Sequence, residues 1–419
     1  MCHAGFLLTG DWQENPEVVR VAGAARCAAG IRETALHPAL IAVFAAACGL
    51  VVANIYYAQP LIGLIASELG LHAGLAGLIV ALTQLGYGAG LLFVVPLSDR
   101  FENRRLIVLA LGGVVLGLIG IALSDSMLTF LMGSFVVGIS AVATQILVPF
   151  ASYLAPAESR GRVVGIIMGG LVGGIMLARP FSSYVAAELG WRAVFILSAC
   201  VMLMLIVVLR RVLPERWPAV HLDYRDIMGS LPGLIARTPV LRRRAFYQGM
   251  LFASFNMFWT ASPLLLAREF GLGQRAIALF TLAGAAGALA APIAGRLADR
   301  GQTRTATGLA LAATVLAFAI SGASGRTHSL ALLVTAALLL DAAVQINQVL
   351  GLRCIYMLAP ELRGRLNGLY LAFIFLCGAV GSMLASTVYI FGGWTALATV
   401  GAVFCLAALV FYATELRGL

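Results

Sequence analysis

The sequence predicts an all-α membrane protein, with twelve transmembrane helices arranged as two pseudo-symmetric six-helix bundles. Three observations carry this. The 419 residues are 61% hydrophobic and 11% charged, whereas a soluble domain is about half apolar and about a quarter charged. Apolar runs close to the ~20 residues that span a bilayer recur along the whole chain. The second half of the chain also repeats the first.

In chain order, residues 1–37 are mixed and polar. They lack the charged, apolar and cleavage regions of a signal peptide, so they are expected to form a cytoplasmic N-terminal tail. Apolar runs follow at 38–66, 73–97, 106–124, 128–153, 163–187, 191–213, 244–267, 275–298, 306–323, 329–353, 366–390 and 394–414. An even number puts both termini on one side. The longest interior polar stretch, 214–243, divides an N-terminal bundle (38–213) from a C-terminal one (244–419). Its middle is expected to form a short amphipathic helix at the membrane interface, anchored by Trp217 and Tyr224.

All 28 basic residues are arginine. Nineteen of them fall at the junctions after segments 2, 4, 6, 8 and 10, against four (Arg192, Arg268, Arg275, Arg326) at the opposite junctions. Positive loops stay cytoplasmic, so both termini are expected inside a bacterial inner membrane. The net charge of +10 therefore lies between apolar runs, which argues against nucleic acid as a partner. The seven cysteines and five histidines are scattered, which predicts no disulfide, metal site or cofactor. No cluster of nucleophile, base and acid marks an enzyme, and no effector domain marks a receptor.

The repeat is explicit. "LAPAESRGRVVG" (154–165) recurs as "LAPELRGRLNG" (358–368), and the match continues without a gap to Gly190-Trp191 and Gly393-Trp394. "NIYYAQPLIGLIASELGL" (54–71) parallels "NMFWTASPLLLAREFGLG" (256–273), and "LSDR" (97–100) parallels "LADR" (297–300). A six-helix unit present twice resembles a major facilitator superfamily transporter, with its site between the halves. The loops "VPLSDRFENRR" (95–105) and "GRLADRGQTR" (295–304) resemble that family's loop signature. Val95 and Glu102 stand where the signature has glycine. The resemblance implies a cytoplasmic gate made by Asp99, Arg100 and Arg104 against Arg363 and its neighbours, and by Asp299 and Arg300 against Arg160. A carboxylate beside a helix N-terminus is favourable, and an arginine can pair with it.

Inside the segments, Asp341 is the single acid placed deep, about 18 Å from either end of segment 10 at 1.5 Å per residue. Gln345 and Gln348 follow at i+4 and i+7, on the same face. Asn54, Tyr57, Gln145 and Asn256 lie on segments 1, 4 and 7, which line the cavity in the family, whereas Gln84 on segment 2 does not fit that pattern. In segment 5, Gly169, Gly170, Gly173, Gly174 and Pro180 resemble the family's antiporter signature, but Arg179 replaces its glycine before proline. Arg179 is a ligand for an anionic substrate group, a partner for a carboxylate, or a side chain snorkelling toward the outer interface. Ser134 stands where proton antiporters of the family carry an arginine.

These residues lead to an expectation of secondary active transport of a small organic molecule by alternating access. Proton-coupled efflux is the expected mode, with Asp341 as the proton-coupling group and Asn54, Tyr57, Gln145, Arg179, Asn256, Gln345 and Gln348 around the substrate. Uptake or uncoupled facilitation of an organic anion through Arg179 is the alternative, and a membrane-embedded enzyme is a third class. The expected partners are the substrate and the lipid bilayer, with the chain acting as a monomer.

Overall fold

A computed structural model describes residues 37–156, 158–218, 224–358 and 362–417. The expected tail up to residue 36 and linker residues 219–223 lie outside the described residues. Among the described residues there is no strand. Hydrocarbon offers no water to bond backbone groups, so each apolar run must satisfy its own N–H and C=O groups as helix.

The N-terminal half contains α1 (Pro38–Ala53), α2 (Ile62–Glu68), α3 (Leu78–Phe93), α4 (Asn103–Ala122), α5 (Met127–Ser140), α6 (Ala143–Leu154), α7 (Arg160–Leu189) and α8 (Trp191–Val212). A linker helix, α9 (Tyr224–Arg237), follows. The C-terminal half contains α10 (Pro239–Arg268), α11 (Gln274–Ala285), α12 (Ala291–Asp299), α13 (Thr303–Thr327), α14 (Leu330–Tyr356) and α15 (Arg363–Arg417). Nine stretches among the described residues are long and apolar enough to cross a membrane. The last, Arg363–Glu415, breaks at Gly393 (φ 67°, ψ −173°) and holds the two final predicted segments.

The first and eighth predicted segments are interrupted. After α1 the chain passes through turns and a short 3-10 stretch, Gln59–Leu61, containing Pro60. Between α11 and α12 lies the 3-10 stretch Ala286–Ala290, in a run rich in glycine and alanine. This break brings backbone close to α14. A Cβ on Gly287 would come within 2.7 Å of the Asp341 Cβ and of the Leu338 carbonyl oxygen.

The repeated Gly-Trp pair is a turn in both halves. Gly190 (φ 82°) and Gly393 (φ 67°) take left-handed backbone that favours glycine. Each is followed by a buried tryptophan. Trp191 donates to Glu68 (2.6 Å), and Trp394 donates to the Ser321 carbonyl (3.0 Å). Arg192 also bonds Glu68, and these donors hold its carboxyl below the usual range.

Close packing explains the glycines of α7. A side chain on Gly170 or Gly174 would collide with the backbone of Ala45 or Gly49 on α1, whereas Gly169 and Gly173 face open space. The linker makes contacts to the N-terminal half. Tyr224 donates to the Phe93 carbonyl (3.1 Å), and Trp217 is exposed. Packing of α1 on α7 predicts that Gly174→Val lowers stability by about 1–3 kcal/mol, seen as a lower melting temperature by circular dichroism in detergent. Gly173→Ala is expected to leave it unchanged or slightly raised.

Candidate functional site

Between the halves lies a cavity of about 360 Å³. Its walls run from Arg179 and Asp341 in the interior to Asp99, Tyr356 and Arg365, so it opens toward the arginine-rich face. The i, i+4, i+7 spacing on α14 has the expected result: Asp341, Gln345 and Gln348 all line it. Aromatic rings supply much of the remaining wall, including Tyr56, Tyr87, Phe252, Phe255 and Phe375.

Two buried charges sit in the interior of the cavity wall, one from each half. Arg179 is 3% exposed and Asp341 8%. The Arg179 guanidinium faces the rings of Trp259 (4.8 Å), Tyr56 (5.2 Å) and Phe255 (5.2 Å). Its Nε donates to the Gln59 side-chain oxygen Oε1 at 2.6 Å, while Nη2 is buried with no hydrogen-bond partner. Trp259 touches both charges, because its indole N–H donates to Asp341 Oδ2 at 3.1 Å. Arg179 and Asp341 feel each other's field but are not among the direct ion pairs of the described residues. Burial of Arg179 excludes the snorkelling arrangement. Gly284 is what makes room here: a Cβ there would overlap the Trp259 ring.

The opposite face is closed by bonds between the halves. Gln59 donates to Asn256 (3.4 Å) and Thr260 (3.3 Å), and Gln84 donates to Asn256 (2.5 Å). Thr260 bonds Ser382 (3.3 Å), which donates to Gln84 (3.4 Å). Further out, the Gly77 N–H donates to Ser386 (2.8 Å), Ser183 donates to Gln274, and Arg275 pairs with Glu188 (2.7 Å). Gly77 permits the approach, since a side chain there would meet the Ser382 carbonyl.

The predicted polar residues therefore divide. Arg179, Gln145, Gln345 and Gln348 line the cavity, and Gln145 donates to the Tyr87 hydroxyl (3.1 Å). Asn256 belongs to the closed-face network instead. Asn54 and Tyr57 do not line the cavity. Asn54 turns into the N-terminal bundle, where it accepts from Ser198 (2.7 Å) and bonds its own helix, and Tyr57 stacks toward Phe181. The break after α1 rotates Tyr56 rather than Tyr57 into the cavity. Gln84, the apparent exception, joins the inter-half network because α3 packs on α15. Gln59 and Trp259 were visible as polar or aromatic residues on cavity segments, but no spacing rule marked their role.

The residues of the expected gate lie around the open face. Asp99 lies in the field of Arg365 and Arg216. Asp299 pairs with Arg353 (2.5 Å), not with Arg160, whose Nε is buried without a partner. Arg363 donates to the Tyr356 carbonyl (2.7 Å). Arg100 and Arg300 are exposed, and the Arg104 backbone N–H donates to Glu102 (2.7 Å). The departure at Glu102 has a structural use. Its buried carboxylate caps α4 and also accepts the Arg216 N–H (3.2 Å), fastening the linker.

Two helical halves around a central cavity with a few buried polar groups, closed on one face and open on the other, define a multi-pass membrane transporter. The family model described as Major Facilitator Superfamily matches residues 39–247 and 244–417. The chain belongs to that superfamily. It is 40% identical to "Uncharacterized transporter YgaY" of Escherichia coli O157:H7 over 90% of this chain and 95% of that one. It is 31% identical to "Probable transporter SCO4007" of Streptomyces coelicolor over 82% and 79%. Among solved structures, it resembles a bacterial homologue of the human lysosomal transporter Spinster in an inward-facing, occupied conformation. That likeness has a TM-score of 0.74 at 15% identity, covering 90% of this chain and 96% of that one.

The division between cavity wall and bundle interior is checked by thiol labelling in a cysteine-free background. Gln345→Cys is expected to react with a water-soluble maleimide added to the arginine-rich face, and Asn54→Cys to stay protected. Equal labelling of both would contradict the placement of Asn54.

Proposed function

We propose that the chain carries a small organic molecule across a bacterial inner membrane by alternating access, and that Asp341 holds the coupling proton. The supporting observation is a buried carboxylate near the middle of a 27-residue apolar helix, lining a cavity open to one face. Intramembrane acids in such places are often proton relays, since burial disfavours the charged form. The arginine-rich face is taken as cytoplasmic on the positive-inside rule, which makes this an inward-open state. Opening the other way requires breaking the bonds from Gln59 and Gln84 to Asn256 and Thr260. It also requires closing the loops at Asp99 and Asp299 onto the opposite half, the clasp that the family's loop signature implies.

Efflux in exchange for protons, the mode expected from the α7 glycines and Pro180, needs substrate and proton to exclude each other. Arg179 in the cavity and Ser134 in place of an arginine favour the second reading, movement of an organic anion. In proteoliposomes, a pH gradient is expected to drive accumulation of a substrate found by screening labelled organic acids and amphipathic compounds. Asp341→Asn is expected to abolish this accumulation while leaving substrate exchange across the membrane. Accumulation on a pH gradient that persists in Asp341→Asn would remove Asp341 from the coupling role.

A further inference from the structure

Arg179 has more binding capacity than the protein uses. Its Nε is committed to Gln59 and its planar faces to three aromatic rings, but Nη2 has no acceptor. A buried cation left partly unbonded calls for a counter-group. The cavity wall beside it is aromatic, and at about 360 Å³ the cavity holds a small ligand. The groups facing Asp341 are few: Trp259 from α10, Gly284 from the end of α11, Gly287 from the break after it, and the Arg179 charge from α7. Tyr56 faces the guanidinium from the other side. The other elements on α14 carry charge only near their ends: Arg242, Arg243, Arg244 and Arg268 on α10, Arg275 on α11, Arg296 and Asp299 on α12, Arg304 and Arg326 on α13, and Arg363, Arg365, Glu415 and Arg417 on α15.

We propose that Arg179 binds the carboxylate of a small organic monoanion with an apolar, planar body, and that this anion and a proton on Asp341 bind together. The inference rests on the reading of Asp341 as the proton site. With Arg179 and Asp341 both ionised, the cavity is neutral. Adding a carboxylate gives it one excess negative charge in a low-dielectric space, and protonating Asp341 cancels that charge. Each ligand therefore raises the affinity of the other, by the same factor in both directions. A dianion would leave one charge uncancelled, and a neutral amide would offer Arg179 one carbonyl oxygen with no charge and no second acceptor for the fork. The sign is that of cotransport: anion and proton cross in the same direction, and exchange between them is disfavoured. The rings of Tyr56, Phe255 and Trp259 hold the guanidinium flat, so the fork presented to the carboxylate is preorganised.

The test is equilibrium binding to the full-length protein in detergent, with no gradient, between about pH 5 and 8, where carboxylates of this kind are ionised. The probes are benzoate, phenylacetate and cinnamate, each against its amide. At least one acid is expected to bind about tenfold or more tightly than its amide, with affinity rising as pH falls. Arg179→Gln is expected to lose that preference, and Arg179→Lys, which keeps the charge without the fork, to restore part of it. Asp341→Asn, which mimics the protonated acid, is expected to bind the same acid with a flat pH profile. Amides binding as well as acids, no acid binding, an unchanged Arg179→Gln, or affinity that rises with pH would each overturn the assignment. Amides binding as well as acids, while pH-driven accumulation persists, would overturn the substrate class and leave the transport reading standing. The converse result would overturn the coupling reading and leave the anion site.

Discussion

A charge in hydrocarbon must find an opposite charge, a ring face or water, and Arg179 and Asp341 each supply part of what the other lacks. Removing an ion from water costs several kcal/mol even after relaxation. Three ring faces at about 0.5–2 kcal/mol each and one charge-assisted bond of about 1.5–3 kcal/mol offset much of this for Arg179. The remainder falls to Asp341, which is why the two halves must present these groups to the same space. Several local features of the fold follow from that need. Gly284 and Gly287 bring the broken segment close to α14, which leaves room for the Trp259 indole to reach the carboxylate.

The closed face is built from weaker material than the helix cores. Neutral amide and hydroxyl bonds between the halves, several of them at 3.3–3.4 Å, contribute about 0.5–1.5 kcal/mol each. A handful of them amounts to a few kcal/mol, the size of gap across which a ligand can shift a two-state equilibrium. Arg179 bonds Gln59, and Gln59 bonds Asn256 and Thr260. The charged centre and the closed face therefore share one chain of hydrogen bonds. A group that draws on the Arg179 guanidinium pulls at the first link of that chain. Within each half, by contrast, glycine-backed contacts such as Gly170 and Gly174 against Ala45 and Gly49 leave no slack, so each half behaves as a unit.

At two places where the chain departs from the family's sequence pattern, the structure has another use for the position. Glu102, in a glycine position, caps α4 and ties down the linker through Arg216. Arg179, in another glycine position, becomes the cation of the cavity. Ser134, in place of an arginine, is buried with its hydroxyl unbonded in the N-terminal bundle.

Composition, arginine placement and the internal repeat were enough to determine the helical membrane architecture, since a bilayer leaves a long apolar segment almost no alternative to helix. The face shared by Asp341, Gln345 and Gln348 was equally legible, because helical spacing within one continuous segment is a local property. Membership of a cavity segment misplaced Asn54 and Tyr57, since α1 ends at Ala53 and the turns that follow put Tyr56 in the cavity wall instead. Gln84 looked out of place because its partners, Asn256 and Ser382, lie 172 and 298 residues further along the chain. The meeting of Arg179 with Trp259 and Asp341 was likewise beyond any local pattern. It depends on how two separately folded halves lean together, and that geometry is set by contacts no stretch of sequence contains.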